Sequence, residues 1–151
     1  MKILYCDASF DWAQTEINDE NVVRGKIAIS NGNNFKRIEK VVIGKVEGLK
    51  QYINIYELTA VARAVELASE LNPKPETLTI FTDSMTAMYW ARNNKIPSKI
   101  LTSAHDNALE YLRRARIQFG GEVIFNHVLR EQNPAGFLLQ KELDKESPSS
   151  V

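Results

Sequence analysis

Asn54-Ile55-Tyr56-Glu57-Leu58-Thr59-Ala60 marks the point where the pattern of the chain changes. From there Ile55, Leu58, Val61, Ala62, Val65, Ala68 and Leu71 recur at the spacing of a helix with one apolar face. Upstream, the chain has the composition and alternation of strands. Residues 2–8, 22–30 and 35–46 read as three of them. Asn31-Gly32-Asn33-Asn34 has the residues that close a tight hairpin between the last two. Residues 10–21 are polar and turn-rich and read as a long loop. The first third is therefore an antiparallel meander.

Downstream, Asn72-Pro73-Lys74-Pro75 ends the first helix. Residues 77–81 form a short apolar strand, and 84–93 a second helix, broken by Asn93-Asn94 and Pro97. Residues 98–119 read as a third helix, stopped by Gly120-Gly121. A last strand is expected over 123–129, a turn at 131–134, and a final helix over 135–145. The order βββαβααβα belongs to the α/β class. Helical crossovers place strands in parallel, so the meander runs into a mixed, five-stranded sheet. Sites of such sheets lie beyond the C-terminal ends of the parallel strands. Residues 1–146 read as one domain and 147–151 as a disordered polar tail.

Composition excludes several classes. With 44% apolar and 25% charged residues in 151, the chain can bury a core and is neither disordered nor membrane-spanning. No apolar run approaches the roughly 18 residues of a membrane span. The N-terminal Met-Lys-Ile-Leu-Tyr lacks the pattern of a signal peptide. The one cysteine, Cys6, rules out an internal disulfide framework and reads as a buried thiol of a cytoplasmic protein. Nineteen basic and nineteen acidic residues cancel, so any nucleic-acid contact must come from a local patch. No protein partner is evident.

Three carboxylates carry the chemistry. Asp7 closes Ile3-Leu4-Tyr5-Cys6, Asp83 closes Leu78-Thr79-Ile80-Phe81-Thr82, and Glu57 is expected in the first turn of the first helix. Each alone has a plain structural reading. Asn54 with Glu57 makes a capping box, Asp83-Ser84 an N-cap, and Asp7 a solvated strand end. Jointly they meet at one rim of the sheet. A cluster of that kind repels itself unless hard cations neutralise it, and oxygen ligands suit Mg²⁺ or Mn²⁺.

The ordered set of motifs resembles the type 1 ribonuclease H family. It comprises Asp7-Ala8-Ser9, Asn54-Ile55-Tyr56-Glu57, Thr82-Asp83-Ser84 and Arg130-Glu131-Gln132-Asn133. The resemblance covers roughly residues 2–145. It implies an endonuclease that cuts the RNA strand of RNA–DNA hybrids with two metal ions. Asp7 would bridge both ions, and Glu57 and Asp83 would hold the second. Ser9, Asn54 and Ser84 would touch substrate, Asn54 from the minor groove. Trp90, Arg92 and Lys95, around the end of the second helix, would track the phosphate backbone.

The chain departs from the family in several places. The family carries a fourth carboxylate on the last helix. Here Asn133-Pro134-Ala135-Gly136-Phe137-Leu138 puts Gly136 or Phe137 in that slot, depending on register. Glu131, Glu142 and Asp144 are the nearest substitutes. Ile53 stands where the family has an Asn before the helix, and no Lys-rich handle is present. His127, inside the last strand, reads as structural, and His105 as a surface residue. The missing carboxylate keeps a second reading open, a nucleic-acid-binding domain with little or no catalysis. A third is another nuclease of this fold, such as a junction resolvase or a DNA-directed exonuclease.

Overall fold

The computed structural model describes residues 2–10, 22–44 and 52–146. The loop expected before the second strand, the far end of the third strand and the tail at 147–151 lie outside the described residues. Five strands, β1 (Ile3–Phe10), β2 (Val22–Ser30), β3 (Lys36–Gly44), β4 (Thr77–Thr82) and β5 (Glu122–His127), form one sheet in the order β3-β2-β1-β4-β5. β1–β2 and β2–β3 are antiparallel, while β1–β4 and β4–β5 are parallel. The helices are α1 (Tyr52–Ser69), α2 (Met85–Asn93), α3 (Ser103–Phe119) and α4 (Pro134–Glu146). The mixed sheet and the element order are those expected from the sequence. No described helix is long and apolar enough to cross a membrane.

Strand alternation assigns the two faces. Leu4, Cys6 and Ala8 of β1, with Ile27, Ile29, Leu78, Ile80 and Phe125, point to one side and pack under α1, α2 and α3. Tyr5, Ala28 and Ile38 point to the other side, where Ala135, Leu138 and Leu139 of α4 cover them. Asp7 has the parity of Tyr5, so it emerges on the α4 face.

The hairpin between β2 and β3 closes through Asn31. Its Oδ1 accepts from the amides of Asn33 at 2.8 Å and Phe35 at 3.0 Å, while Gly32 takes φ +83°. That conformation is open to glycine at little steric cost.

Two helix starts differ from expectation. α1 begins at Tyr52, so Asn54 sits within its first turn and Glu57 is its sixth residue, in the second turn. Asn54 is therefore not an N-cap, and the capping-box reading of Asn54 and Glu57 fails. Burial of Tyr52, Ile55 and Tyr56 together draws the extra turn into the helix. α3 begins at Ser103 rather than 98, because the Thr102 hydroxyl caps it and His105 completes a capping box. His105 is thus buried, edge-on to Trp90 with ring centroids 5.5 Å apart, and not at the surface.

Candidate active site

β1 and β4 are parallel neighbours whose ladder ends with Cys6 opposite Thr82, so the next residues, Asp7 and Asp83, lie just beyond it, Asp7 still within β1 and opposite Ala28 of β2. Asp83 is fixed by a tight strand-to-helix turn. Thr82 Oγ1 accepts from the Ser84 amide at 3.1 Å, and Ser84 Oγ accepts from the Ala87 amide at 3.1 Å as the N-cap of α2. α1 crosses β1 and delivers Glu57 to the same rim. Oxygen atoms of Asp7, Glu57 and Asp83 all lie within 4.8 Å of one another.

These groups meet in a partly dry place. Glu57 is buried, and its Oε2 has no hydrogen-bond partner. Burial, then the charges of Asp7 and Asp83, hold its carboxyl well above the ordinary carboxylate range. Burial and the charge of Asp83 raise Asp7 as well, against smaller opposite pulls from hydrogen bonds to the Ala8 backbone and Glu57 and from the charge of Arg130. The donor set is wholly carboxylate oxygen, one atom of it buried and unpartnered. Those are the needs a hard divalent cation meets, so the residues fit the group that the sequence implies.

A cleft of about 540 Å³ opens over the cluster. Ser9 and Arg130 flank the carboxylates, and the α4 side brings Gly136, Phe137 and Gln140. A second hollow of about 350 Å³, between β3, α1 and α3, holds no carboxylate.

Asn133 ties the rim together. It is fully buried. Its Nδ2 donates to the Cys6 carbonyl at 3.0 Å and to Asp83 Oδ2 at 3.3 Å, and its Oδ1 accepts from the Ala135 amide at 3.1 Å. It is thus the N-cap of α4, with Pro134 at the first helical position. The sequence displayed Asn133 only as part of a motif, and its spacing to Asp83 gives no hint of the contact. His127, the last residue of β5, is exposed and reaches the Asp83 carbonyl through Nε2 at 3.2 Å. Cys6 is the buried thiol expected, its Sγ donating to the Phe81 carbonyl at 3.6 Å.

No family model matches the chain, and no curated protein matches it. Solved structures do. A ribonuclease H1 isolated from compost matches at a TM-score of 0.62 with 17% identity, over 97% of this chain and 99% of that one. The fold is the ribonuclease H fold. The same compost protein, crystallised with an RNA/DNA hybrid, matches at 0.61 with 16% identity, over 95% of this chain and 97% of that one. The ribonuclease H1 of Halobacterium salinarum matches at 0.59 with 16% identity over those same shares, again in a type 1 ribonuclease H fold.

Within the ribonuclease H fold the remaining expected site residues separate. Ser9 lines the cleft, whereas Asn54 is half-buried in α1 and Ser84 is engaged in capping. Trp90 lies in the core, so its ring is unavailable for stacking. Arg92 spans the edge of β5, donating to the Phe125 carbonyl at 2.7 Å and to Asn126 Oδ1 at 2.9 Å. Lys95 is exposed beyond the end of α2. The expected track of Trp90, Arg92 and Lys95 is therefore broken at its aromatic member. Both candidate positions for the missing carboxylate line the cleft. A Cβ on Gly136 would sit 3.2 Å from Asp7 Oδ2, so a side chain there needs Asp7 to give way, whereas Phe137 stands exposed on the cleft wall. Of the substitutes, Glu131 lines the cleft, Glu142 lies 4.0 Å from Lys26, and Asp144 accepts from Gln140.

The raised carboxyls set a pH dependence. An acid whose pKa is higher folded than unfolded binds more protons in the native state, so stability falls as pH rises through that interval. For Asp7 and Glu57 the interval starts at their ordinary values of 3.8 and 4.5 and extends upward. In chelator, Tm should be higher in mild acid than at neutral pH. Mn²⁺ at 100 times its Kd should raise the neutral Tm by about 5–10 °C. Calorimetry that finds Tm unmoved by both pH and metal would rule out a repelling, cation-binding cluster.

Proposed function

We propose that this chain is a divalent-metal-dependent endonuclease that hydrolyses the RNA strand of RNA–DNA hybrids. The observation that carries the reading is the convergence of Asp7, Glu57 and Asp83 within 4.8 Å on the ribonuclease H fold, with a buried carboxylate oxygen left unpartnered. Bound there, Mg²⁺ or Mn²⁺ would supply Lewis-acid activation of water and stabilise the leaving oxygen. Asp7, on the central strand, would be the bridging ligand, and Glu57 and Asp83 would complete the set. Arg130 brings a positive charge to a phosphate entering beside Asp7. Ser9 offers a hydroxyl on the same wall, suited to a ribose 2′-hydroxyl or a phosphate oxygen.

Phe137 favours a second reading, a hybrid-binding domain with little catalysis, because that wall contributes no charged ligand. The test is incubation of a labelled hybrid with Mg²⁺, Mn²⁺ or chelator, beside single-stranded RNA and duplex DNA. The nuclease reading expects metal-dependent cleavage of the hybrid alone, stronger with Mn²⁺, which binds a weak oxygen site more tightly. Cleavage undiminished in chelator defeats it. Binding without cleavage in either metal establishes the second reading. On the nuclease reading, Phe137→Asp should lower the metal concentration for half-maximal rate, about tenfold on the scale of one added ligand shell contact. An unchanged metal requirement would mean that Glu131 already serves.

A further inference from the structure

We infer that the cleft receives one nucleobase out of its stack, laid against Phe137 beside the carboxylates. The preferred substrate is then a hybrid with an unpaired nucleotide at the cut, not an uninterrupted one. This rests on the nuclease reading above.

Three large apolar side chains stand open on the walls of the carboxylate cleft: Phe137 is 57% exposed, Ile53 37% and Leu143 36%. Scattered exposed apolar residues are ordinary, but these gather in one cleft with the carboxylate cluster. These three side chains themselves attract neither a phosphate nor a metal. A nucleobase has both a flat apolar face and a covalent link to the phosphodiester that the carboxylates would attack. Stacking on an aromatic ring tolerates any base.

A paired base cannot use this ring, because its faces are covered by its neighbours in the helix. Proteins that read RNA by stacking therefore take bases from loops, bulges and ends. The cleft, at about 540 Å³, is in the range of sites for small organic ligands. Arg130 and Gln140 line it and can meet polar edges of a base. A protein partner fits poorly. The apolar area is three side chains broken by Arg130, Glu131 and the carboxylates, whereas a stable interface takes roughly 800 Å² from each side.

The test places 2-aminopurine as a single-nucleotide bulge in the RNA strand of a hybrid and uses Asp7→Asn protein to prevent cutting. Binding should quench its fluorescence, and the bulged hybrid should bind about tenfold tighter than the matched one, the scale of one stacked base. Phe137→Ala should lose both effects and Phe137→Trp should keep them, with circular dichroism and melting confirming that each is folded. Equal affinity for bulged and matched hybrids, or a preference that survives Phe137→Ala, overturns the inference. So does a concentration-dependent dimer that Phe137→Ala dissolves, since the wall would then join two copies. The two readings fail separately. Equal cleavage of both hybrids by wild-type protein removes the base site and leaves the nuclease. Quenching without cleavage in any metal removes the nuclease and leaves the base site.

Discussion

Asp7→Asn should lower hybrid cleavage by at least about a thousandfold while raising the Tm of the metal-free protein. The loss follows from position. Asp7 is the member of the cluster on the central strand, within 4.8 Å of both Glu57 and Asp83, and lines the cleft that would take the scissile phosphate. An electrostatic contribution of several kcal/mol corresponds to about three decades in rate. The gain follows from repulsion. With Asp7 neutral, Glu57 loses the larger of the two charges acting on it, and its carboxyl relaxes toward the ordinary range. Stability given up at a site to keep function possible returns when function is removed. Turnover is read under saturating Mn²⁺ and Tm in chelator. Retained turnover would remove Asp7 from the mechanism. A fall in Tm would show that its hydrogen bonds outweigh the repulsion.

Asn133→Ala should destabilise the fold by about 3 kcal/mol. It deletes a helix cap, typically worth about 1 kcal/mol, and strands the buried Cys6 carbonyl, at about 1–3 kcal/mol. Urea unfolding should show a lower midpoint with an unchanged slope. Asn133→Asp discriminates further. It keeps the cap acceptor but loses both donations and adds a fourth negative charge beside Asp83. Its deficit should exceed that of Asn133→Ala at neutral pH and shrink in acid. If both variants melt like wild type, Asn133 is not the tether that its bonds describe.

Much of this site was legible because carboxylates that follow short apolar runs are legible. Two such runs joined by a helical crossover are neighbours, as β1 and β4 prove to be, although β1 runs on past Asp7 to Phe10. What stayed hidden depends on how helices are seated. Periodicity locates an apolar face but not the length of a short helix, so Trp90, beside basic Arg92, looked like surface and is core. His105 was misplaced for the same reason, because the cap at Thr102 decides which residues of α3 open the helix. The choice between Gly136 and Phe137 needs the distance from α4 to Asp7, which no spacing along one helix contains.

The bond from Asn133 to the Cys6 carbonyl joins residues 127 apart in sequence. Contacts of such separation form late, since the chain must close a long loop before they return any energy. The carboxylate pair of β1 and β4 can assemble with the central sheet, but α4, with its wall of the cleft, docks through this tether and the packing of Ala135, Leu138 and Leu139 on the far face, all of it long-range. On the ribosome, synthesis proceeds at about 5–20 residues per second and the earlier parts emerge first. The carboxylate cleft would therefore stay unfinished until the last helix of the domain is free, and on the proposed nuclease reading a nascent chain carrying Asp7, Glu57 and Asp83 alone would be silent toward nearby RNA.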